Sequence, residues 1–260
     1  MPDGLAGRVT PSALPTTALR RVDDRADRLH VRIDRPAVRN AIDRGLVDEL
    51  HAVCAELEAA PRILIISGAG GVFASGADIA ELRERRRADA LAGINSRLFT
   101  RIAALPMPVI AAIDGWALGG GAELAYAADF RIAGTTARIG NPETSLGIIA
   151  AAGASWRLAE LVGEPVAKEI LLAGRVLNAE EALALHLVTE VHDSADLDAA
   201  ADALADRIAM QDAQAVRLTK AVFRAPRSAH PEVDEIAQSV LFESPAKFER
   251  MTAFLEKRKR

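Results

Sequence analysis

WALGGGAEL, residues 116–124, sets three consecutive glycines and a glutamate in the middle of a long apolar run, with PVIAAIDG before it and AYAADFRI after it. Each glycine weakens a strand or helix interior by roughly 0.5–1 kcal/mol relative to alanine. Glu123 follows them directly and carries a carboxylate into apolar surroundings. A segment that gives up local stability in this way is built for something other than packing.

The flanking pattern sets the fold class. MPVIAAIDG is a short continuous apolar run closed by glycine, the pattern of a strand buried on both faces, and WALGGGAELAYAADF turns from it into a helix. The same succession of strand, glycine turn and helix occurs earlier, at RILIISGAG followed by VFASGADIAEL. Two short strands, around ALRRVDD and RLHVRID, come first, separated by a charged turn. RPAVRNAID breaks the second strand, and Asp43 or Asn40 caps a helix through LVDELHAVCAELEAA. Leu46, Leu50, Val53 and Leu57 fall on one face of that helix, leaving Asp48, Glu49 and Glu56 for solvent. ELRERRRADAL reads as one highly charged helix, and RIAG and ARIG as two further strands. From about Ala151 the pattern is mostly helical, ending in KRKR. Strands followed by helices, then an almost wholly helical last third, define an α/β chain with a helical C-terminal extension. Residues 1–17, with three prolines, two glycines and few large apolar groups, read as a disordered leader.

Composition limits the function classes. The 260 residues allow one large domain or a domain with an appendage. With 50% hydrophobic and 26% charged residues the chain can bury a substantial core. The net charge of −4 argues against a nucleic-acid partner. The single cysteine, Cys54, excludes an internal disulfide and a paired-cysteine metal site, so a reducing cytoplasm is the simplest location. The N-terminus has neither a basic start nor an apolar stretch of signal-peptide length. No run approaches the ~20 apolar residues of a membrane span. The expectation is a soluble protein without a membrane partner.

Most familiar motifs are absent. Gly68 and Gly70 begin a dinucleotide-type pattern, but its third glycine position is Phe73. No glycine loop is followed by the lysine of a phosphate-binding loop. His30, His51, His186, His192 and His230 show no ligand spacing, so no metal site is expected. The stretch Gly153 to Arg157 lacks the final glycine of a nucleophile elbow. The ERRR run at 84–87 and the terminal KRKR read as solvated helix faces, and Trp116, Trp156 and Tyr126 as packing residues. What remains is the triple-glycine segment and FASGADI at 73–79. Each could be a tight turn with a first-turn acid, Glu123 or Asp78, complementing a helix dipole. Joined by a third acidic turn, NPETSLG, they fit a sharper reading.

FASGADIAEL, IAAIDGWALGGGAELAYAADFRIAG and IGNPETSLGI resemble the enoyl-CoA hydratase/isomerase (crotonase) superfamily, as do RPAVRNAID and LAGRVLNAEEALALHLVTEV. The resemblance runs over about residues 18–260, with the motifs in matching order and spacing. It implies a spiral of repeated β-β-α units over residues 18–197, then a helical region over 198–260 that mediates trimer formation, often as a dimer of trimers. Carried over by position, Ala77 and Gly120 correspond to the two oxyanion-hole donors, and Glu123 and Glu143 to the two catalytic glutamates of the hydratase branch. Ala77, Asp78, Ile79 and Ala80 would lie along the acyl-CoA, and Phe254 and Lys257 would approach CoA near a subunit boundary. The chain departs from the family pattern at Ala80, where many hydratases carry a lysine, which removes a phosphate or adenine contact. It departs again at 150–154, where AAAGA replaces PGAGG and narrows the pocket near Glu143.

The resemblance gives the glycines a chemical reason. A thioester gains negative charge on its carbonyl oxygen when water adds at the β-carbon or a proton leaves the α-carbon. Holding that charge takes backbone N–H groups aimed at one point, which side chains would obstruct. The N-terminus of the following helix adds a positive dipole end there. Glu123, three residues after Gly120, is close to one helical turn away and can face the acyl chain. Adding water needs a base and an acid, and two neighbouring carboxylates can divide those tasks, whereas an isomerase needs one base. The implied activity is reversible addition of water to a trans-2-enoyl-CoA, with coenzyme A part of the substrate and no other cofactor. The alternatives are an enoyl-CoA isomerase or other crotonase-fold acyl-CoA enzyme and, from a different class, a non-catalytic acyl-CoA-binding scaffold subunit. At the C-terminus, Leu241, Phe242, Phe248, Met251 and Phe254 give LFESPAKFERMTAFLEKRKR more apolar surface than a lone helix should expose, which points to contacts between protomers.

Overall fold

A computed structural model describes residues 17–258. The leader expected at 1–17 lies, but for its last residue, outside the described residues, as do the last two residues of KRKR. In chain order the elements open with β1 (Leu19–Asp24), β2 (Arg28–Ile33), α1 (Arg44–Ala59), β3 (Ile63–Gly68) and β4 (Val72–Ala74). There follow α2 (Ile79–Glu84), α3 (Arg87–Ala92), α4 (Ile94–Ala103), β5 (Val109–Ile113), β6 (Trp116–Leu118) and α5 (Gly120–Tyr126). Next come β7 (Phe130–Gly134), β8 (Arg138–Gly140), a 3-10 turn (Glu143–Leu146), α6 (Ala154–Val162), α7 (Glu164–Ala173), β9 (Val176–Asn178), α8 (Ala179–Ala184) and β10 (Glu190–His192). The chain ends in α9 (Leu197–Ala209), α10 (Ala213–Phe223), α11 (Glu232–Phe242) and α12 (Pro245–Lys257).

Two sheets result, one of order β1-β2-β3-β5-β7-β10 and one of order β4-β6-β8-β9. Three successive units, β3–β4, β5–β6 and β7–β8, each give their first strand to the larger sheet and their second to the smaller. Apart from β1–β2 and β8–β9, the strand pairs are parallel. The chain therefore climbs as a spiral of β-β-α units, as the resemblance implies. The continuous apolar runs are explained by burial on both faces of the larger sheet. Leu64, Ile66, Val109, Ala111 and Ile113 face the main core with α1 and α4, while Ile63, Ile65, Ile110, Ala112 and Ile132 face α9 through Leu197, Ala201, Leu204 and Ala205. Lys220 fastens α10 to the same face, its Nζ donating to Asp129 (2.6 Å) and to the Met107 carbonyl (3.0 Å).

Several local expectations are corrected. Of the two cap candidates, Asp43 caps α1 by accepting the Leu46 N–H at 2.8 Å. Asn40 is buried instead, accepting from the Arg35 N–H and donating to the Ala69 and Val72 carbonyls. Glu49 does not face solvent freely: its carboxylate accepts the N–H groups of Ala18 and Leu19 and pins the start of β1. The charged helix is two helices, because Arg85 and Arg86 are extended and Asp89 accepts the Arg86 N–H at 2.9 Å, restarting the helix at α3. The last third carries two short strands, β9 and β10, which pair with β8 and β7. Among the described residues no helix is long and apolar enough to cross a membrane.

Candidate active site

The site forms where β6 hands the chain to α5. Gly119, at φ 52°, makes the turn, and its N–H donates to the Gly140 carbonyl at 2.9 Å. Gly120 opens the helix, so its N–H has no intrahelical acceptor. Opposite it runs the segment after β4, pinned to Ile42: the Ile42 N–H donates to the Gly76 carbonyl (2.8 Å) and the Asp78 N–H to the Ile42 carbonyl (3.1 Å). That parallel bridge engages residues 76 and 78 and turns the intervening Ala77 amide the other way. A Cβ placed on Gly120 would stand 3.5 Å from the Ala77 nitrogen. Two free amides from distant parts of the chain thus border one spot.

Both glutamates reach the same cavity, a space of about 710 Å³ lined by Gly76, Ala77, Gly119, Gly120, Glu123 and Glu143, among others. Glu123 is buried in the first turn of α5, and its Oε1 accepts the N–H groups of Ala152 (2.7 Å) and Ala154 (3.1 Å). The AAAGA stretch at 150–154 therefore grips this carboxylate with its backbone. Glu143, at the start of the 3-10 turn, is also buried. Its Oε1 lies 3.4 Å from Asn141 Nδ2, and its Oε2 has no partner among the described residues. Burial pushes the Glu123 carboxyl up to about 7, the Glu143 charge adding to the rise and the backbone N–H groups opposing it. Burial also raises Glu143, against the Asn141 amide. The pair is thus poised to hold one proton near neutrality.

A stability test follows from Glu123. Near pH 4.5, its ordinary value, and below, the carboxyl takes up its proton in the folded and the unfolded chain alike and costs little. Above about 7 the folded chain must hold it ionised, a cost on the order of 3 kcal/mol. Glu123→Gln, which keeps an oxygen for the Ala152 and Ala154 amides, is expected to raise the melting temperature at about pH 8 and to leave it nearly unchanged at about pH 4. Thermal unfolding at both pH values checks this; a gain of equal size at each would show that charge burial is not its source.

The remaining expected site residues are not all brought together. Ile79 lines the cavity. Asp78 caps α2 by accepting the Glu81 N–H at 3.0 Å, and Ala80 is exposed; neither lines the cavity. Phe254 and Lys257 lie exposed on α12 and are also not among the lining residues. Sequence reasoning passed over Asn141, which links Tyr126 to Glu143: the Tyr126 hydroxyl donates to Asn141 Oδ1 at 3.0 Å. Its signal was its place in NPETSLG, two residues before Glu143. It also passed over Arg85 and Asn95, which line the cavity. Of the three aromatic residues read as packing, Tyr126 is buried, while Trp116 and Trp156 remain 47% and 44% exposed.

A spiral of β-β-α units with two buried glutamates beside paired free amides defines an acyl-CoA enzyme of the crotonase fold, and comparison with known proteins agrees. A sequence profile described as enoyl-CoA hydratase/isomerase matches residues 26–260, and the chain belongs to that family. It is 36% identical over 243 residues to a short-chain-enoyl-CoA hydratase of Clostridium acetobutylicum, with 88% of this chain and 91% of that protein covered. It is 37% identical over 238 residues to a crotonyl-CoA hydratase of Syntrophomonas wolfei, covering 87% of this chain and 91% of the relative. The crystal structure of an enoyl-CoA hydratase from Bacillus anthracis superposes with a TM-score of 0.86 at 32% identity, over 92% of this chain and 96% of that one.

Proposed function

We propose that the chain is an enoyl-CoA hydratase, adding water reversibly and syn across the C2=C3 bond of a trans-2-enoyl-CoA. The observation that carries this reading is the pair of buried carboxylates, Glu123 and Glu143, opening on one cavity beside the free amides of Ala77 and Gly120. The thioester oxygen accepts from those two N–H groups, which draws electron density from the β-carbon. Glu123, whose ionised form is supported by the Ala152 and Ala154 amides, takes a proton from water as its oxygen bonds to C3. The enolate charge rests on the Ala77 and Gly120 amides. Glu143, whose buried Oε2 has no other partner among the described residues, delivers its proton to C2. One proton enters the pair and one leaves it, so the pair returns to its starting charge when the proton passes between the two carboxylates. The chemistry needs no metal or redox cofactor. Loss of enoyl absorbance with crotonyl-CoA, compared with longer enoyl-CoAs, tests it; absence of hydration with every chain length would overturn it.

The same reading makes the C-terminal helices the assembly surface of a homo-oligomer. Phe223, Ile236, Phe242, Phe248, Met251 and Phe254 are all exposed on α10–α12 of the single chain. Apolar residues gathered at this density mark a contact surface. Deleting residues 240–260 is expected to lower the oligomer mass measured by light scattering or to reduce solubility. A truncated protein that stays soluble at full oligomeric mass would count against it.

A further inference from the structure

Buried polar side-chain atoms are almost always paired. Asn95 is an exception at the candidate active site: its Oδ1 is buried and has no partner among the described residues. The residue lines the cavity, yet the hydration steps derived from the two glutamates and the two backbone amides give it no task.

Its position supplies one. Asn95 stands in the first turn of α4, a ten-residue helix whose Leu98, Phe99 and Ile102 are fully buried. Gly93, at φ 64°, leads into that helix, and Ser96 Oγ donates to the Gly93 carbonyl at 3.2 Å. The side chain is therefore carried on a packed element and not on a loop. The free end of its amide, Nδ2, lies 3.5 Å from the point where a Cβ on Gly120 would stand. The Ala77 nitrogen lies 3.5 Å from the same point, and the Gly120 nitrogen is two bonds from it. Outside the glycine turn and the backbone of α5, no oxygen comes closer to that point than 3.9 Å. Three nitrogens from three separate segments thus surround one spot, the spot between the two free amides.

We infer that Asn95 is a third oxyanion-hole donor, its Nδ2 donating to the thioester oxygen beside the Ala77 and Gly120 amides. The place of the thioester in this inference rests on the hydratase reading. An NH₂ group only donates, so it suits an acceptor at that spot. Side-chain amides serve in such holes as backbone N–H groups do. Turned over about its Cβ–Cγ bond, the amide would instead set Oδ1 against the two backbone N–H groups, close the hole and bar the thioester. The two orientations make opposite predictions for a variant without the amide. As a donor, Asn95 counts most when charge has gathered on the oxygen, so its loss falls on kcat more than on ground-state binding.

Asn95→Leu keeps the bulk of the side chain without a donor, and because Oδ1 holds nothing in the fold the melting temperature is expected to change little. Its kcat with crotonyl-CoA is expected to fall about 10²-fold, with a smaller change in KM. A readout that needs no turnover is the infrared stretch of an isotope-labelled thioester carbonyl in bound butyryl-CoA, which cannot be hydrated. On the wild-type chain the stretch is expected to drop below its value in water, and in Asn95→Leu to move part of the way back. No drop on the wild-type chain would overturn the proposal whether or not the variant folds. A stretch left unmoved by Asn95→Leu would also overturn it, whatever happens to kcat, and so would wild-type kcat in that variant. Faster turnover or tighter binding by Asn95→Leu would overturn it by placing Oδ1 against the two amides. Failure of the hydratase reading would look different: no hydration of crotonyl-CoA by the wild-type chain, with the Asn95-dependent drop intact.

Discussion

Glu143→Gln is expected to lower hydration of crotonyl-CoA by about 10²–10⁴-fold, and Glu123→Gln by the same order, with acyl-CoA binding retained. Glutamine keeps the size of the side chain and an accepting oxygen but cannot exchange a proton at neutral pH. At position 123 that oxygen still meets the Ala152 and Ala154 amides, so the α6 approach stays in place while the base is gone. At position 143 the atom of interest is Oε2, buried and free of any partner among the described residues, hence the one able to deliver a proton outward. Two groups that act on one water as a unit lose their effects together, so the double variant should fall well short of the product of the single losses. An isomerase predicts another pattern, with one variant nearly inactive and the other still moving protons between C2 and C4. Hydration and isomerisation measured on the same three variants separate the two. Near-wild-type hydration by Glu143→Gln would sink the two-glutamate mechanism and leave Glu123 as a lone base.

How much of this was legible in the sequence depended on how local each feature is. The larger sheet was readable because β3 and β5 are buried on both faces and therefore run as unbroken apolar stretches. The smaller sheet was not, since β4, β6, β8 and β9 are three residues each, too short for any period to show. Of these, ARIG at β8 was read as a strand, while the other three were absorbed into turns and helices. Glu123 and Gly120 stand out by contrast with their apolar neighbours. That Ala77 comes to face Gly120 depends on the Ile42 bridge, a contact between segments 35 residues apart in sequence (77 − 42), which no local pattern records. The ERRR run shows the same limit. Reading it as a solvated helix face holds only in that Arg86 and Arg87 are exposed: the helix breaks at Arg85 and Arg86, and Arg85, Arg86 and Arg87 all line the cavity.

Gly120→Val is expected to reduce kcat by about 10²–10³-fold while the chain still folds. The three glycines are held by three different neighbours, which makes the prediction sharp. A Cβ on Gly121 would stand 2.1 Å from the Ala74 carbonyl oxygen, so this glycine lets α5 lie directly on β4, and Gly121→Ala should fail to fold or lose melting temperature heavily. A Cβ on Gly119 would meet Glu143 Oε1 at 3.0 Å in a left-handed backbone (φ 52°) that disfavours side chains. At Gly120 the nearest atoms, the Ala77 nitrogen and Asn95 Nδ2, would be at 3.5 Å, ordinary contact, and the backbone is helical. Nothing structural forbids a side chain there. What it would fill is the space between the two amides, where the thioester oxygen must sit. Because those donors matter most when charge has built up on the oxygen, kcat should suffer more than affinity for the ground-state thioester. Steady-state kinetics on crotonyl-CoA beside a melting curve decide it: normal turnover by Gly120→Val would mean that Ala77 and Gly120 are not the oxyanion hole, and an unchanged melting temperature in Gly121→Ala would undo the packing argument that sets the two positions apart.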